Sequence, residues 1–271
     1  MDNNWNLKKL KKQAIRNQNF DNYVLNQSGI LGCDNLKVLD VGCSNGFKTK
    51  LMFDKYKNIN YILGIDIDEQ AINEAKENFK NNNKYKFELK KIEDLDENNK
   101  YDIIYLSYVL QHLKNPIKVL KTLKNMLSDR GVLIIKVPDD NFKLCYPDPN
   151  NLLHKIFSLY ENEIMINQNI TKYTDRYIGK KVYNYLIKND YKSIQLFYSI
   201  TDTIGKSLEE RLILFENSIA FRNPNNKNNI KEETRNKMNE LLTELKNNFS
   251  KDDFYYVMAV LYYVARKWKS N

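Results

Sequence analysis

Cysteine and histidine are scarce in this chain of 271 residues, which has three cysteines and two histidines. Cys33, Cys43 and Cys145 lie far apart, without CxxC spacing and without a cluster of histidines beside them. This pattern argues against a disulfide framework and against a zinc site, both of which need cysteines at closer and more regular spacing. We therefore predict free thiols in a reducing cytoplasm and no bound metal.

Long apolar runs are also absent, since no run approaches the ~18 residues that a membrane-spanning helix needs. The first nine residues lack the apolar segment of a signal peptide. From these two absences we expect a cytoplasmic protein without a membrane span. With 42% hydrophobic and 28% charged residues, the composition is typical of a globular chain, long enough for one α/β domain with additions or for two small domains.

The net charge of +9 raises the question of a nucleic-acid partner, because lysines gain affinity by releasing phosphate counterions. The lysines are spread along the chain and alternate with acidic residues and many asparagines. A compositional bias toward Lys, Asn, Ile and Tyr explains the charge as well. No dense basic block is present, so we favour compositional bias and do not expect nucleic-acid binding.

Apolar runs followed by segments of helical periodicity repeat along the chain and predict a doubly wound α/β fold. We expect a seven-stranded, mostly parallel sheet, with an antiparallel last strand placed at one edge. The predicted strands are residues 38–41, 61–66, 85–91, 101–107, 132–137, 191–200 and 254–264. The fifth is expected to stop at Pro138, because proline removes a backbone donor from a sheet.

The segments between and around these strands predict the domain organisation. Residues 1–35 are expected to form an N-terminal helical cap, and residues 36–200 with 251–271 the α/β core. Within this frame, residues 138–173 and 201–250 are expected to be helical insertions. The first of these begins with a Pro-, Asp- and Asn-rich loop over 138–151, and a further helix is predicted over 175–189. We expect the cap and the insertions to close over a substrate as a lid.

The first strand ends in a glycine turn, VGCSNG, with Gly42 and Gly46 four residues apart. A dinucleotide fingerprint needs glycines where this chain has Ser44 and Phe47, and no P-loop lysine follows. The turn therefore lets a ligand approach the backbone closely, but it does not have the arrangement of residues that binds phosphate. With Asp40 in the same turn, it suits a cofactor that carries a nucleoside and a cationic or zwitterionic tail.

Three acids are placed to contact such a cofactor. Asp66 ends the second strand, 66 − 46 = 20 residues after Gly46, where a carboxylate can accept both ribose hydroxyls. Asp40 could accept from the ammonium of the tail, and its charge is favourable near a sulfonium. Glu93 follows the third strand and could meet an adenine amino group, while Ile92 packs on the ring.

Together these motifs resemble those of the class I S-adenosylmethionine-dependent methyltransferases. The matching segments are residues 38–46, 63–68, 92–95, 101–104 and 131–135. The chain departs from the family pattern at Ser44, which replaces the middle glycine, and at Lys91, where many members carry the acid that contacts adenine. The resemblance implies a Rossmann-like core, S-adenosyl-L-methionine as cofactor and an antiparallel seventh strand.

The resemblance also implies roles for further residues. Cofactor contacts are expected from the backbone of the turn and from side chains at the strand ends: Asp40, Gly42, Cys43, Ser44, Gly46, Asp66, Ile67, Ile92, Glu93 and Ser107. His112 could act as a general base, or it could pack over the cofactor. Tyr108, His154 and Tyr177 are the candidates for substrate binding.

The function that these features predict is methyl transfer to a small-molecule acceptor, through nitrogen or oxygen, by in-line displacement. The charge leaves a tRNA or rRNA methyltransferase as an alternative. Against it, the segment from Ser107 to Leu110 lacks the Asn/Asp-Pro-Pro-aromatic signature of base amino methylation, and no separate RNA-binding module is visible. A non-catalytic protein that binds the cofactor on the same fold is the other alternative.

Overall fold

A computed structural model describes residues 15, 17–168, 172–225 and 227–268. Its strands are β1 Leu36–Val41, β2 Ile59–Asp66, β3 Tyr85–Leu89, β4 Tyr101–Ser107, β5 Leu127–Tyr146, β6 Lys192–Asp202 and β7 Tyr255–Arg266. They form one seven-stranded sheet in the order β3-β2-β1-β4-β5-β7-β6. Strands β1 to β5 pair in parallel, and the last strand is antiparallel. The predicted α/β class and mostly parallel sheet are confirmed.

The expected edge position of the last strand is wrong, because β7 lies between β5 and β6. Burial explains this order. Residues 259–265 of β7 are all buried, as suits a strand with neighbours on both sides. No residue of β6 is fully buried, and β6 takes the edge.

The predicted stop of the fifth strand at Pro138 is also wrong, since β5 continues to Tyr146 in place of the expected loop. The parallel register of β4 with β5 ends where Ser107 faces Lys136. Pro138 follows that last pair, so its missing N–H removes no hydrogen bond to β4. Its fixed φ is compatible with extended backbone, and the strand passes through it.

The helices are α1 (residues 17–27), α2 Phe47–Phe53, α3 Glu69–Phe79, α4 Pro116–Met126, α5 Leu152–Leu159, α6 Gly179–Lys188, α7 Leu208–Ser218 and α8 Glu232–Phe249. Helix α6 begins four residues later than predicted. The predicted cap before residue 15 lies outside the described residues. Among the described residues, no helix combines the length and the apolar character needed to cross a bilayer.

Side chains at the helix starts fix several of these boundaries. Asp68 accepts a hydrogen bond from the backbone of Ala71 at 3.1 Å and caps α3. Asn115 does the same for α4, which has Pro116 in its first turn. Ser207 and Glu210 form a capping box at the start of α7.

The chain divides into two units. Unit 1 holds the described residues up to 137 together with 178–198 and 261–268, and unit 2 holds the described residues of 138–177 and 199–260. Unit 1 contains β1 to β4 and the turn that follows β1. Unit 2 has its own apolar core, which includes Ile156, Phe215, Leu242 and Phe249.

Candidate functional site

The glycine turn lies in unit 1, between β1 and α2. Gly42 and Gly46 have φ of 72° and 75°, a left-handed conformation that favours glycine. A Cβ at Gly42 would lie 2.3 Å from Cγ2 of Val109, and one at Gly46 would lie 2.7 Å from Cζ of Phe87. Conformation and space therefore both require glycine at these two positions.

Backbone hydrogen bonds fasten the turn to β2. The amides of Gly42 and Cys43 both donate to the carbonyl of Ile65, at 2.8 and 3.1 Å. The Cys43 amide is thus already engaged within the protein. Its thiol is buried, and burial, followed by the charges of Asp40 and Asp66, raises the pKa of the thiol, so Cys43 is unsuited to act as a nucleophile.

Asp66 closes the other side of the turn. One carboxylate oxygen accepts from the Ser44 amide at 2.8 Å, and the other accepts from the Asp68 amide at 3.0 Å. Each oxygen keeps acceptor capacity beyond these bonds, and the residue is half-buried at the carboxyl end of β2. Asp66 can therefore hold the turn and accept hydroxyl groups from a ligand at the same time.

Asp40 is buried beneath the turn, where it accepts a hydrogen bond from the Thr49 hydroxyl at 2.6 Å. Burial raises the pKa of the carboxyl to about 7, the Thr49 bond and the charge of Lys48 oppose that shift, and the charge of Asp66 adds to it. A carboxyl whose pKa lies at about 7 is stabilised in its ionised form by a nearby cation. The turn is thus suited to a positively charged ligand group.

We expect binding of a cationic ligand here to release protons. At pH 7 about half of the Asp40 carboxyls carry a proton, which follows from a pKa of about 7. A bound cation favours ionisation, so calorimetry in buffers of different ionisation enthalpy should show about half a proton released at pH 7 and almost none at pH 8.5. In the Asp40→Asn variant this release should vanish, and a release equal to that of the wild type would contradict the assignment.

The same shift predicts how stability depends on pH. The carboxyl is protonated up to about pH 7 in the folded chain, whereas its ordinary pKa in the unfolded chain is 3.8. Between these values the folded state binds the extra proton, so the contribution of Asp40 to stability is lost as pH rises through 7. Urea unfolding of the wild type and of Asp40→Asn at pH 5 and pH 8 measures this contribution to the free energy of unfolding.

The predicted adenine contacts lie on the neighbouring strand ends. Ile67 follows β2 and is 74% exposed, which is high for an isoleucine beside a buried sheet. Ile92 is buried and begins the 3-10 helix Ile92–Asp94, whereas Glu93 and Lys91 are exposed. These positions offer an apolar surface and a carboxylate, which is what an aminopurine would use.

The end of β4 carries the remaining predicted residues of unit 1. Ser107 is half-buried, and the Tyr108 amide donates to the carbonyl of Lys136 at 2.9 Å. The buried Gln111 side chain donates to the Tyr108 carbonyl at 2.9 Å and lies 3.2 Å from Nε2 of His112. His112 ends the 3-10 helix Leu110–His112 and is exposed.

The other two predicted substrate residues lie in unit 2, not in unit 1 with Tyr108. His154 is exposed on α5. Tyr177 is half-buried, and burial together with the nearby Glu161 raises the pKa of its hydroxyl to about 12. Tyr177 is therefore a hydrogen-bonding group at neutral pH and not a base.

Sequence reasoning missed a buried carboxylate in unit 1, that of Asp21 on α1. It accepts from Nζ of Lys136 at 3.1 Å, from Lys48, from the Tyr262 hydroxyl at 2.9 Å and from the Tyr105 hydroxyl at 3.4 Å. Burial alone would raise the pKa of Asp21, but the charges of Lys136 and Lys48 hold it below its ordinary value.

A signal for this group was present in the sequence. Lys136 interrupts the apolar run of the fifth strand, and a lysine in a buried strand needs an acidic partner. Because Lys48 follows the glycine turn and Lys136 faces Ser107, Asp21 ties α1 to the carboxyl ends of β1 and β4 and to the middle of β5. We refer to Asp21, Lys48 and Lys136 as the Asp21 cluster.

A family model described as a methyltransferase domain matches residues 33–259, which is most of the chain. The match includes the glycine turn and the ends of β1, β2 and β4.

Two curated relatives share part of the sequence. A trans-aconitate 2-methyltransferase of Agrobacterium fabrum is 33% identical over 101 residues, covering 37% of this chain and 38% of the relative. A tRNA U34 carboxymethyltransferase of Campylobacter fetus is 34% identical over 132 residues, covering 45% of this chain and 44% of the relative. The chain thus spans less than half the length of these relatives, namely 38% of the first and 44% of the second.

Solved structures share the fold at low identity. A mycolic acid cyclopropane synthase complexed with SAH and CTAB superposes with a TM-score of 0.55 at 14% identity, covering 88% of this chain and 81% of that one. A phosphoethanolamine N-methyltransferase of Haemonchus contortus, in complex with S-adenosyl-L-methionine, gives 0.52 at 12% identity and covers 86% and 49%. At these identities the likeness concerns the fold alone.

Proposed function

Because this chain belongs to the methyltransferase-domain family, we propose that it transfers a methyl group from S-adenosylmethionine to a nitrogen or oxygen atom of a small-molecule acceptor. The resemblance that the motifs indicated is confirmed at the level of the family. The methyl donor is S-adenosylmethionine. One observation supports this function most strongly, namely a glycine turn flanked by the half-buried Asp66 and by Asp40, whose pKa is about 7.

The residues present fit this cofactor. Asp66 supplies acceptors for ribose hydroxyls, Ile67 and Ile92 supply apolar surface for adenine, and Glu93 supplies a carboxylate for its amino group. Asp40 is a buried acid whose ionised form a nearby cation would stabilise, and the donor carries two cationic groups, the ammonium of its amino-acid tail and its sulfonium. Lys91 and Ser44 do not disturb this set, since Lys91 is exposed and the Ser44 amide is held by Asp66.

When bound, the donor would supply an electrophilic methyl group on its sulfonium, which the acceptor nitrogen or oxygen attacks in line while the thioether leaves. The chain contributes alignment and exclusion of water. The glycine turn and Asp66 hold the donor side, and the Asp21 cluster holds α1 beside the same strand ends. We propose that α1 acts as a cap at these strand ends, which is the lid role expected from the sequence for the N-terminal segment.

The small-molecule acceptor is supported by two features. One curated relative is named for methylation of trans-aconitate. In addition, several basic residues take part in specific buried ion pairs, as Lys136 and Arg222 do. An acceptor screen with isotopically labelled S-adenosylmethionine tests the proposal. Labelled product from a small acid, amine or phenol supports it, and label found only in added RNA contradicts it.

A tRNA substrate is the second candidate, and one relative favours it, since its name is tRNA U34 carboxymethyltransferase. The net charge of +9 is compatible with this alternative. Binding of bulk tRNA at 50 and 200 mM salt distinguishes the two candidates. An affinity that is high at the lower salt and falls by about a thousandfold would favour RNA, because several phosphate contacts produce so steep a dependence.

For His112 we propose a role as general base toward the acceptor. Replacing His112 with asparagine should then lower kcat by roughly 100-fold or more, because general bases contribute about 10² to 10⁴. The ascending limb of the pH–rate profile should disappear, while cofactor affinity stays within about twofold. A variant that keeps the limb and a near-normal kcat would leave His112 as a packing residue.

A further inference from the structure

Lys48 acts on two buried acids of unit 1, Asp21 and Asp40. Its ammonium pairs with the carboxylate of Asp21 on α1. The next residue of α2, Thr49, donates its hydroxyl to the carboxylate of Asp40 on β1 at 2.6 Å. Consecutive residues at the start of α2 therefore contact two different acids, one on the N-terminal helix and one beneath the glycine turn.

The charge of Lys48 also reaches Asp40. Burial raises the pKa of the Asp40 carboxyl to about 7, and the Thr49 hydrogen bond and the charge of Lys48 oppose this shift. An ammonium close to a buried carboxyl stabilises its ionised form, as a cationic group of a ligand does. Lys48 and a ligand cation are therefore competitors for the same carboxylate.

The charge of Asp21 keeps Lys48 on the side of α1. The Asp21 side chain is 0% exposed, and burial alone would raise its pKa, but the charges of Lys136 and Lys48 hold the pKa below its ordinary value. Asp21 is thus an anion at neutral pH, whereas about half of the Asp40 carboxyls are protonated at pH 7. An ionised carboxylate attracts an ammonium more strongly than a partly protonated one.

The two lysines of the Asp21 cluster differ in their access to solvent. The Lys136 side chain is 1% exposed, and its ammonium lies 5.1 Å from the ring centres of both Tyr108 and Tyr262. The Lys48 side chain is 19% exposed. Lys48 is therefore the lysine that can change its partner without bringing a new charge into the core.

Apolar contacts also hold α1 on unit 1. The ring of Phe20 lies 5.2 Å from that of Tyr262, and Val24 and Leu25 are buried. The hydrophobic effect at this face does not depend on the charge of Asp21. Removing that charge alone therefore tests the ion pair, while much of the contact between α1 and the sheet remains.

We propose that Asp21 is a positioning residue of the methyl-donor site, because it holds Lys48 away from Asp40 and leaves that carboxylate to the cationic groups of the donor. Docking of α1 and binding of the donor then favour each other, since coupling between two sites is reciprocal. The inference rests on the donor site that the proposed function uses. It does not depend on which acceptor is methylated.

Calorimetric titration of the full chain with S-adenosylmethionine at pH 7 and constant ionic strength tests the proposal. Asp21→Asn keeps the size of the side chain and removes its charge, so Lys48 turns to Asp40. Donor affinity should then fall by about tenfold, a usual value for coupled sites. Adding Lys48→Met removes the competing ammonium, and the double variant should regain most of the lost affinity, because the two substitutions are coupled.

A purely structural role of the ion pair gives a different result. Each substitution would then loosen α1, and the double variant would bind no better than Asp21→Asn. Under the proposal, Lys48→Met alone should bind the donor at least as tightly as the wild type, because Asp21 keeps Lys136 and Asp40 loses a competitor. Unchanged affinity in Asp21→Asn, a double variant that regains nothing, or weaker binding by Lys48→Met would overturn the proposal.

Asp102→Asn is the matched control. Asp102 is a buried acid of the same unit near the start of β4, at the other end of this strand from Ser107. It accepts from the Ser128 hydroxyl at 2.6 Å and pairs with Arg130. Its replacement should lower Tm and leave donor affinity within about twofold, because distant sites without shared partners act independently.

Hydrogen exchange of the α1 amides gives a readout other than affinity. Saturating S-adenosylmethionine should slow this exchange in the wild type and leave it unchanged in Asp21→Asn. Equal exchange in the wild type with and without the donor would contradict the coupling. Circular dichroism confirms folding, and should Asp21→Asn not fold, Lys48→Met and the wild-type exchange decide.

The outcomes separate this inference from the proposed function. Normal donor binding by the wild type with equal affinity in Asp21→Asn contradicts the inference alone. Failure to find a methylated small molecule contradicts the proposed function and leaves the affinities and exchange rates as they are.

Discussion

Replacement of Asp66 by alanine is expected to weaken binding of S-adenosylmethionine by about 100-fold or more. The carboxylate holds the amides of Ser44 and Asp68, and we propose that it also accepts the ribose hydroxyls. Each hydrogen bond to a charged group contributes about 1.5–3 kcal/mol, and about 1.4 kcal/mol corresponds to a factor of ten. Loss of two such bonds to the ligand accounts for the expected change, and calorimetry measures it.

Asp68→Ala is the matched control for this variant. Asp68 lies two residues away and caps α3 through the Ala71 amide. Its replacement should lower stability by about 1 kcal/mol and leave cofactor affinity nearly unchanged. If Asp66→Ala and Asp68→Ala bound the cofactor equally well, the assignment of Asp66 to the ribose would be wrong.

The second large effect concerns stability, since Asp21→Leu should lower the free energy of unfolding by about 3–5 kcal/mol. Without Asp21, the ammonium of Lys136 is left with its side chain 1% exposed and without this carboxylate. The Tyr262 and Tyr105 hydroxyls lose the same acceptor. At about 2–4 °C per kcal/mol for a chain near this size, Tm should fall by roughly 10 °C.

A double variant distinguishes loss of charge balance from loss of packing. Adding Lys136→Met to Asp21→Leu removes the buried ammonium of Lys136. The double variant should regain much of the lost stability, because apolar replacement of a whole buried pair is often neutral. Lys48 can remain, since its side chain is 19% exposed. As a surface control, Glu216→Ala breaks an exposed pair with Lys246 and should cost less than about 1 kcal/mol. An unchanged Tm in Asp21→Leu would contradict the account of α1.

The sequence predicted those parts of the fold that local chemistry determines. The glycine turn could be read because left-handed backbone at Gly42 and Gly46 needs glycine. The caps at Asp68 and Asn115 are equally local, because side-chain acceptors at helix starts act within a few residues. The family followed from several such motifs in order.

Long-range pairing was not predicted. The place of β7 inside the sheet depends on contacts between strands far apart in the chain, and the extension of β5 past Pro138 depends on where its neighbour ends. The buried ion pairs of Asp21 with Lys136 and of Asp140 with Arg222 join residues more than 80 positions apart, so no local spacing marks these two pairs. Only Lys136, within an apolar run, signalled that a distant acid was needed.

Titration of the purified chain with S-adenosylmethionine, NAD and ATP tests the central claim most directly. The account predicts one-to-one binding of S-adenosylmethionine with a Kd between about 1 μM and 1 mM, the range usual for enzyme substrates. It predicts no saturable binding of NAD or ATP, because the turn lacks the glycines and the lysine that hold their phosphates. Binding of NAD or ATP in place of S-adenosylmethionine would contradict it.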